Sequence, residues 1–337
     1  MNIYKLYLFV KKRYRHGTIS PVTGLTIKRN VPLAPFTNFQ IGGSAEYFAQ
    51  VKSTADIEQT LSFSQKNALS VTPIGLGTNI LVSDKGIRGL VIRMENTIYR
   101  VHKHSGTLLA DAGTDWNSLV QNVAKDGWGG LEWGVGIPGT VGGAVYGNAG
   151  AFGGEVKDIL LWALAYDTKN NTLVSLKRKD CAFSYRHSLF KTKKYLIVSA
   201  SFQIQEKDPS LLMHQMKETL QFRKKKHSTA YPTCGSYFKN ILFKNIPKKI
   251  QDELLSSPVG HLAKKYGKIP AGFLIESCGL KGTQRGGARI SEKHANFLIN
   301  YKNATAQDIL DLATLVKEKV FFRYNIVLEE EVQYIGN

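Results

Sequence analysis

Residues Gly130–Glu155 read GLEWGVGIPGTVGGAVYGNAGAFGGE, and no other stretch of the chain is as informative. Its only charged residues are Glu132 and Glu155, and glycine is its commonest residue. Glycine loses more backbone freedom on folding than any other residue, so this composition indicates close approaches or unusual backbone angles. Two interpretations stay open. Backbone N–H groups around Gly139–Gly143 lie against the phosphates of a large ligand, or the stretch is a tight turn packed in a core.

Composition limits the class of protein. The chain has 337 residues and is 43% hydrophobic, which is enough for a sizeable core and for two or three domains. Its 45 Lys and Arg residues against 26 Asp and Glu residues give a formal charge of +19. Such a surface attracts anions of any kind, including nucleic acid, nucleotides and phosphosugars, so charge alone does not choose among them.

Cysteine spacing and the N-terminus bear on the cellular compartment. Cys181, Cys234 and Cys278 are scattered and form no CxxC motif, which argues against a disulfide framework and against a zinc site. The apolar run Leu6–Val10 is followed at once by basic residues and is too short for a secretion signal. No stretch approaches the length of a membrane span. These features favour a reducing cytoplasm.

A second glycine loop precedes the first in the chain. Val71–Ile74 has the composition of a strand, and it leads into Gly75-Leu76-Gly77-Thr78-Asn79. A glycine loop directly after a strand is where nucleotide phosphates commonly bind. The loop is not GxGxxG, and no acidic residue stands at the usual ribose-binding position. The ordinary dinucleotide-binding fold is therefore disfavoured.

Periodicity and capping residues predict the other elements. Helices are expected at Thr54 to about Lys66, from Thr114 or Asp115 to about Lys125, at Leu211–Lys226, and from Thr305 to about Val320. Strands are expected at Ala45–Val51, Ile80–Ser83, Leu90–Met94, Leu108–Ala112, Leu196–Gln205 and Val327–Ile335, with a hairpin of Ile159–Asp167 and Thr172–Leu176. The lysine-rich segment Ile241–Gly267 has little pattern and is interpreted as an insertion.

Three pieces occur in a fixed order: GLGTN at 75–79, the long glycine stretch, and Tyr185-Arg186 followed by Ser236 and Glu331. This set resembles the UDP-N-acetylenolpyruvoylglucosamine reductase family, the flavoenzymes of bacterial peptidoglycan synthesis, over roughly Pro35 to Gly336. The resemblance is to the shorter subtype, because the tyrosine-bearing loop of the longer subtype is missing after Gln205.

The resemblance implies an α+β fold. Two subdomains form an FAD-binding fold of the vanillyl-alcohol-oxidase (PCMH) type, and a C-terminal α+β domain binds the substrate. The implied boundaries are a basic N-terminal extension at 1–34, subdomains at 35–98 and 99–208, and the C-terminal domain at 209–337. FAD is expected to be non-covalent, because Gly75–Asn79 has no histidine for a covalent tether.

The implied reaction uses one site twice. NADPH reduces FAD and leaves, and UDP-N-acetylglucosamine enolpyruvate then takes a hydride at C3 and a proton at C2. Charge that builds at C2 spreads into the substrate carboxylate, so the site needs donors at that carboxylate and an acid over C2. The implied protein is a cytoplasmic monomer that neither binds nucleic acid nor inserts into a membrane.

Three residues match the catalytic positions of the family. Arg186 corresponds to the arginine that holds the carboxylate, a task that suits its planar, permanently charged guanidinium. Ser236 corresponds to the proton donor to C2, and Lys239 or a water is expected to acidify its hydroxyl. Glu331 corresponds to the glutamate that hydrogen-bonds the developing charge. The family usually has proline where Glu330 stands, and Glu329 shares a strand face with Glu331.

The implied binding residues form two sets. For FAD they are Gly75, Gly77, Thr78, Asn79, Ile80, Ile137, Pro138, Gly139, Thr140, Gly142, Gly143, Asn148, Ala149 and Gly150, the last three near the isoalloxazine. For the substrate they are Tyr185, Lys226, Asn240, Gln284 and His294, with Lys225 as the alternative to Lys226 on the pyrophosphate. No metal ligands are expected.

Two other functions stay open on the sequence. An oxidase of the same fold would pass the electrons of reduced flavin to oxygen. A basic nucleic-acid-binding protein would account for the charge, but the sequence has neither an aromatic RNA-binding platform nor a recognition-helix motif.

Overall fold

The computed structural model describes residues 24–170, 172–192, 194–227 and 230–336, without the side chains of Lys226 and His227. Residues 1–23 of the predicted extension lie outside the described residues. The strands in chain order are β1 (Ile27–Pro32), β2 (Ser44–Val51), β3 (Val71–Ile74), β4 (Ile80–Val82), β5 (Ile87–Met94), β6 (Tyr99–His102), β7 (Thr107–Asp111), β8 (Trp128–Gly129), β9 (Gly150–Ala151), β10 (Gly154–Glu155), β11 (Leu160–Asp167), β12 (Thr172–Lys177), β13 (Tyr195–Gln203), β14 (Gln205–Glu206), β15 (Ile241–Leu242), β16 (Lys268–Ile269), β17 (Gln284–Arg285), β18 (Ala288–Ile290), β19 (Leu298–Asn300) and β20 (Gln333–Ile335).

The helices in chain order are α1 (Thr54–Lys66), α2 (Trp116–Lys125), α3 (Val141–Gly147), α4 (Val156–Ile159), α5 (Pro209–His227), α6 (Lys248–Leu255), α7 (Gly260–Tyr266), α8 (Ala271–Ser277) and α9 (Ala306–Tyr324). The chain divides into two compact units. The first comprises the described residues as far as Val31 together with Ala45–Leu76 and Arg88–Phe222, and the second comprises Pro32–Ser44, Gly77–Ile87 and the described residues from Arg223 onward. The predicted three-part boundaries of the folded region stay a prediction.

Two sheets form the frame of the first unit. One has the order β1-β2-β5-β3, and the other is antiparallel with the order β12-β11-β13-β7-β6. The hairpin of β11 and β12 confirms its prediction. Trp116, at the start of α2, is fully buried against Trp133 and Phe202. Its Nε1 donates to the carbonyl of Gly134 at 3.1 Å, which anchors the glycine stretch to this core.

Local chemistry explains the ends of the predicted helices. Asp115 caps α2 by accepting from the N–H of Ser118 at 2.7 Å. Helix α1 has Ser53 as its cap in place of the predicted Thr54, because Ser53 and Asp56 form a reciprocal capping box. Pro209 does not break the chain before α5. It is the first residue of that helix, where the missing N–H costs nothing.

The second unit is built around α9. Thr305 caps this helix in a capping box with Asp308, as predicted, and the helix continues past Val320 to Tyr324. The carboxylate of Asp84 also accepts from the N–H groups of Ala306 and Gln307 at 2.8 and 3.1 Å. The unit further contains the antiparallel sheet β17-β18-β19, the antiparallel pair β15 and β16, and the parallel pair β4 and β20.

Two predictions for the second unit are wrong. The segment 241–267 is not a patternless insertion, since it contains β15, α6 and α7, and Leu254 and Ala263 join the core. The predicted final strand Val327–Ile335 is reduced to β20. In front of it the N–H groups of Glu331 and Val332 both point to the carbonyl of Tyr237, which interrupts a regular ladder.

Candidate active site

The long glycine stretch contains a capped helix. The Thr140 hydroxyl accepts from the N–H of Gly143 at 3.1 Å and begins α3. The N–H groups of Val141 and Gly142 donate to the carbonyls of Thr114 and Ala112, each at 2.9 Å. The first-turn amides of this helix are therefore bonded within the protein. The backbone N–H groups of Gly142 and Gly143 are thus not available to a phosphate, and the other predicted phosphate-binding residues remain candidates.

What remains around Thr140 fits a bound phosphate group. Within the described residues, the N–H groups of Gly139 and Thr140 donate to no protein acceptor. Thr114 is 6% exposed, and its hydroxyl has no hydrogen-bond partner among the residues that the structure describes. A Cβ on Gly75 would lie 2.6 Å from the Thr140 hydroxyl, so the two glycine loops approach each other closely here. Two unused amides and a buried hydroxyl are the donors that a dinucleotide phosphate requires.

The rest of the GLGTN loop belongs to the second unit. Gly77 has φ of +67°, and a Cβ there would collide with the carbonyl of Phe36, so only glycine fits. Asn79 Nδ2 donates to the carbonyl of Glu331 at 3.1 Å. In the part of the chain that the structure describes, the N–H groups of Gly77 and Asn79 have no protein acceptor. This half of the loop also offers amides to an anion.

Arg186 lies at the tip of a closed turn in the first unit. The backbones of Ser184 and His187 exchange two hydrogen bonds of 3.1 Å, and Arg186 has φ of +55°. Its Nη2 donates to the carbonyl of Gly150 at 3.0 Å. The Asn148 amide, fully buried at the end of α3, donates to the carbonyl of Ser184 at 2.9 Å. The predicted carboxylate-binding arginine and the predicted isoalloxazine segment 148–150 are thus one hydrogen-bonded assembly.

Ser236 and Glu331 lie on neighbouring chain segments in the second unit. Glu331 N–H donates to the carbonyl of Tyr237 at 2.7 Å, and Lys239 N–H donates to the carbonyl of Glu329 at 2.9 Å. The two segments therefore run antiparallel, with Ser236 one residue before the partner of Glu331. The Lys239 ammonium binds the Glu329 carboxylate at 2.9 Å.

The three consecutive glutamates differ in their surroundings. Glu329 has a side chain that is 72% exposed beside Lys239, and Glu330 binds Lys317 at 2.9 Å. The Glu331 side chain is half-buried.

Sequence reasoning missed Asn296. This residue is 2% exposed, and its side chain holds both the N–H and the carbonyl of Phe238, at 2.9 and 2.8 Å. Its own carbonyl accepts from the N–H of Tyr237 at 2.8 Å. Asn296 therefore fixes the segment that carries Ser236. The available signal was an amide within the apolar run Ala295–Ile299, where a polar side chain needs buried partners.

The other predicted substrate residues lie in the second unit. Asn240 accepts from the N–H of Ala271 at 3.2 Å. Gln284 binds the Arg289 guanidinium at 2.9 Å and the carbonyl of Gly286 at 2.8 Å. His294 Nδ1 accepts from the N–H of Asn296 at 3.3 Å, which leaves the ring proton to Nε2 in the neutral form. Lys226 falls outside the described side chains.

Glu132 and Cys234, which lie close to these loops, have shifted pKa values. Burial tends to raise the pKa of Glu132, but hydrogen bonds from Lys207 and from the Gly130 backbone outweigh it and lower this pKa. Burial raises the pKa of the Cys234 thiol to about 12. Cys234 therefore stays neutral near pH 7, beside the carbonyl of Ile80 at 3.3 Å. Its proximity to Ser236 does not make it a nucleophile.

Among residues 24–170, 172–192, 194–227 and 230–336, no group of three His, Cys, Asp or Glu side chains is arranged to hold a metal ion. Within the same residues, every helix is too short or too polar to cross a bilayer.

Comparison with known families gives two matches. A model described as UDP-N-acetylenolpyruvoylglucosamine reductase, C-terminal domain, matches residues 226–335. A model described as FAD binding domain matches residues 45–177. The GLGTN loop and the whole of the long glycine stretch lie in the second match, and Ser236 and Glu331 lie in the first.

Curated relatives cover nearly the whole chain. A UDP-N-acetylenolpyruvoylglucosamine reductase of Synechococcus sp. (strain JA-3-3Ab) is 36% identical over 92% of this chain and 92% of its own length. One of Listeria welshimeri is 33% identical over 93% of this chain and 96% of its own length. The crystal structure of the enzyme from Thermus caldophilus has a TM-score of 0.72 and 28% identity, covering 92% of this chain and 99% of that one. These matches confirm the predicted α+β fold class.

Proposed function

Because the chain belongs to the UDP-N-acetylenolpyruvoylglucosamine reductase family, we propose that it reduces UDP-N-acetylglucosamine enolpyruvate to UDP-N-acetylmuramate in peptidoglycan synthesis. FAD is its cofactor, and NADPH is the reductant. The observation that carries the proposal is the antiparallel pairing of the Ser236 and Glu331 segments, held by the bond from Glu331 N–H to the Tyr237 carbonyl. This pairing supports the proposal because it brings the backbones of the two segments side by side. We further propose that the protein acts as a cytoplasmic monomer.

The residues around the two glycine loops suit FAD. Bound FAD supplies hydride transfer between NADPH and the substrate. The free N–H groups of Gly139 and Thr140 and the buried Thr114 hydroxyl would hold its phosphates on the first unit. The N–H groups of Gly77 and Asn79 offer the same chemistry on the second unit. We propose that the cofactor is bound without a covalent link.

Arg186 would bind the carboxylate of the enolpyruvyl group. The carbonyl of Gly150 accepts a hydrogen bond from its guanidinium and holds this permanently charged group in place. During reduction, negative charge spreads into the substrate carboxylate. The fixed cation therefore stabilises the transition state more strongly than it stabilises the bound substrate. Arg186 therefore lowers the barrier as well as binding the substrate.

Ser236 would give the proton to C2. A serine hydroxyl is a weak acid, so it needs a neighbour that stabilises the alkoxide. Lys239 is three residues away, but its ammonium binds the Glu329 carboxylate. We therefore propose that the Ser236 hydroxyl is acidified by a water, or by a cationic side chain that substrate binding brings into position. Glu331 would hydrogen-bond the developing charge from the adjacent segment. Lys226, or Lys225, would bind the pyrophosphate.

The test separates the two halves of the cycle. Purified protein is reconstituted with FAD and treated anaerobically with NADPH, and the flavin absorption is expected to bleach. Addition of UDP-N-acetylglucosamine enolpyruvate is expected to restore it, with ping-pong kinetics and substrate inhibition in the steady state. Arg186→Ala should bleach normally and recover slowly. Reoxidation by air as fast as by the sugar nucleotide would identify an oxidase and contradict the proposal.

A further inference from the structure

We propose that Glu155 is a positioning residue that fixes the Arg186 turn, acting through Asn148. The proposal rests on the proposed function of Arg186, which it deepens. Glu155 is one of the two charged residues of the glycine stretch. Glu155, Asn148 and the Arg186 turn all lie within the first unit.

The Asn148 amide has its orientation fixed by its partners. Nδ2 donates to Glu155 Oε2 and to the carbonyl of Ser184, each at 2.9 Å, and Oδ1 accepts from the N–H of Lys157 at 3.0 Å. A carboxylate and a carbonyl only accept, whereas an amide N–H only donates, so the reversed amide would face three repulsive contacts. Asn148 is fully buried, and each such contact is expensive there.

Glu155 reaches both sides of the Arg186 turn. Its backbone pairs with Gly150, whose carbonyl accepts from the Arg186 guanidinium at 3.0 Å. Its carboxylate holds Asn148, which in turn holds the carbonyl of Ser184 at the base of the turn. A Cβ on Gly150 would lie 2.6 Å from Glu155 Cγ, so the two strands are pressed together at this point. One residue thereby links the tip and the base of the turn.

The turn needs external support. Arg186 has φ of +55°, a region that residues other than glycine enter at a cost of order 1 kcal/mol. The Ser188 hydroxyl bonds the carbonyl of Tyr146 at 2.6 Å and holds the chain beyond the turn. Lys157 supplies the counter-charge for Glu155 at 2.8 Å, and this ion pair raises the pKa of Lys157. Without the Glu155 carboxylate, the Asn148 amide loses one of its partners and holds the Ser184 carbonyl less firmly.

The first readout needs neither flavin nor turnover. The His187 N–H bonds the Ser184 carbonyl, so its hydrogen exchange reports the closure of the turn. Glu155→Ala is expected to speed this exchange at least tenfold, and Glu155→Gln, which keeps an acceptor for Asn148, is expected to restore most of the protection. Glu58→Ala is the matched control, because Glu58 also accepts a side-chain hydrogen bond, from the Tyr166 hydroxyl at 2.7 Å. The control should leave His187 unchanged.

The second readout is a double-mutant cycle. Glu155→Ala is expected to raise the KM for the enolpyruvyl nucleotide about tenfold while reduction of the flavin by NADPH stays normal. In an Arg186→Ala background the same change should raise this KM less than twofold further, because its effect passes through Arg186. Any effect of Glu58→Ala on KM should be the same in both backgrounds.

The outcomes separate the two proposals. Unchanged His187 exchange in Glu155→Ala, or full additivity with Arg186→Ala, would overturn the positioning role. Failure of the wild type to be reoxidised by the nucleotide would overturn the proposed function instead, and the exchange measurement would still decide whether Glu155 fixes the turn.

Discussion

Asn79 Nδ2 donates a hydrogen bond of 3.1 Å to the backbone carbonyl of Glu331, across 252 positions of sequence. The N–H of Gln333 returns to the carbonyl of Asn79 at 3.0 Å. The glycine loop that follows β3 is therefore tied at two points to the segment that carries the candidate catalytic glutamate.

Asn79→Ala is expected to lower the free energy of unfolding by about 1 kcal/mol through loss of this bond. It should also slow reoxidation of the reduced enzyme by the nucleotide, because Glu331 loses its fixed position. Urea denaturation and stopped-flow absorption measure the two effects. Asn67→Ala is the control, since Asn67 Nδ2 also donates to a backbone carbonyl, that of Phe63 at 2.8 Å. A control that slows reoxidation equally would contradict the assignment.

Two glycines of α3 are expected to respond in opposite directions to alanine. A Cβ on Gly142 would lie 3.0 Å from Ala112 Cβ, whereas a Cβ on Gly147 would meet no atom within 4 Å. Gly142→Ala should lower the free energy of unfolding by about 1–3 kcal/mol, because the added methyl group overpacks the contact with Ala112. It should also weaken FAD binding, because it displaces the Thr140 turn. Gly147→Ala should raise the free energy of unfolding by about 0.5–1 kcal/mol, because alanine restricts the backbone of the unfolded chain.

Thermal unfolding of the apoprotein and FAD titration check this pair. Both substitutions add one methyl group to the same helix, so each is the control of the other. Equal shifts in Tm for the two variants would mean that the close packing of α3 on Ala112 is not what requires glycine.

Elements with a local chemical signal were predictable from the sequence. The capping box of Thr305 and Asp308 predicted the start of α9, and alternation with a polar turn predicted the hairpin of β11 and β12. The order of the glycine loops, Arg186, Ser236 and Glu331 was sufficient to indicate the family. In each case the signal and the structure that it specifies lie within a few residues, or the motif itself is distinctive.

Features that depend on distant partners were not predictable. Helices α6 and α7 are short and lysine-rich, and they are stabilised by contacts of Leu254 and Ala263 with the core of the second unit. Asn296 bonds a segment 58 positions away in sequence, so its amide within an apolar run signals buried partners without identifying them. Glu155 bonds the nearby Asn148, and the distant Ser184 carbonyl is held by Asn148 in turn. The use of the Gly142 and Gly143 amides within the protein likewise depends on where Ala112 and Thr140 lie in three dimensions.

Ser236→Ala is expected to lower kcat by about 10²–10⁴ because the proton donor to C2 is lost. Bleaching of the flavin by NADPH should be unaffected, since that half-reaction transfers no proton to C2. Single-turnover absorption changes resolve the two steps. Ser256→Ala is the control, as the exposed Ser256 hydroxyl, just after the end of α6, bonds the carbonyl of Asp252 at 3.1 Å. Slower bleaching in Ser236→Ala would instead indicate a role in binding.

Glu132→Gln is expected to reduce stability at neutral pH and to lose its effect in acid. The Glu132 carboxylate binds Lys207 at 2.6 Å and the N–H of Gly130 at the start of the glycine stretch. Its pKa in the folded protein lies below the ordinary value of 4.5, so the folded state binds this proton less readily than the unfolded state. The stabilisation is therefore complete above that ordinary value and is lost as the pH falls through the lowered one.

The free energy of unfolding, measured by urea denaturation between pH 3 and pH 7, checks this sign. The gap between wild type and Glu132→Gln should be about 1 kcal/mol at pH 7 and should narrow steadily below pH 4.5. Lys207→Met should produce the same trend, because it removes the other partner of the ion pair. A gap that stays constant over this range would show that Glu132 acts through packing, and that its charge does not hold the beginning of the glycine stretch in place.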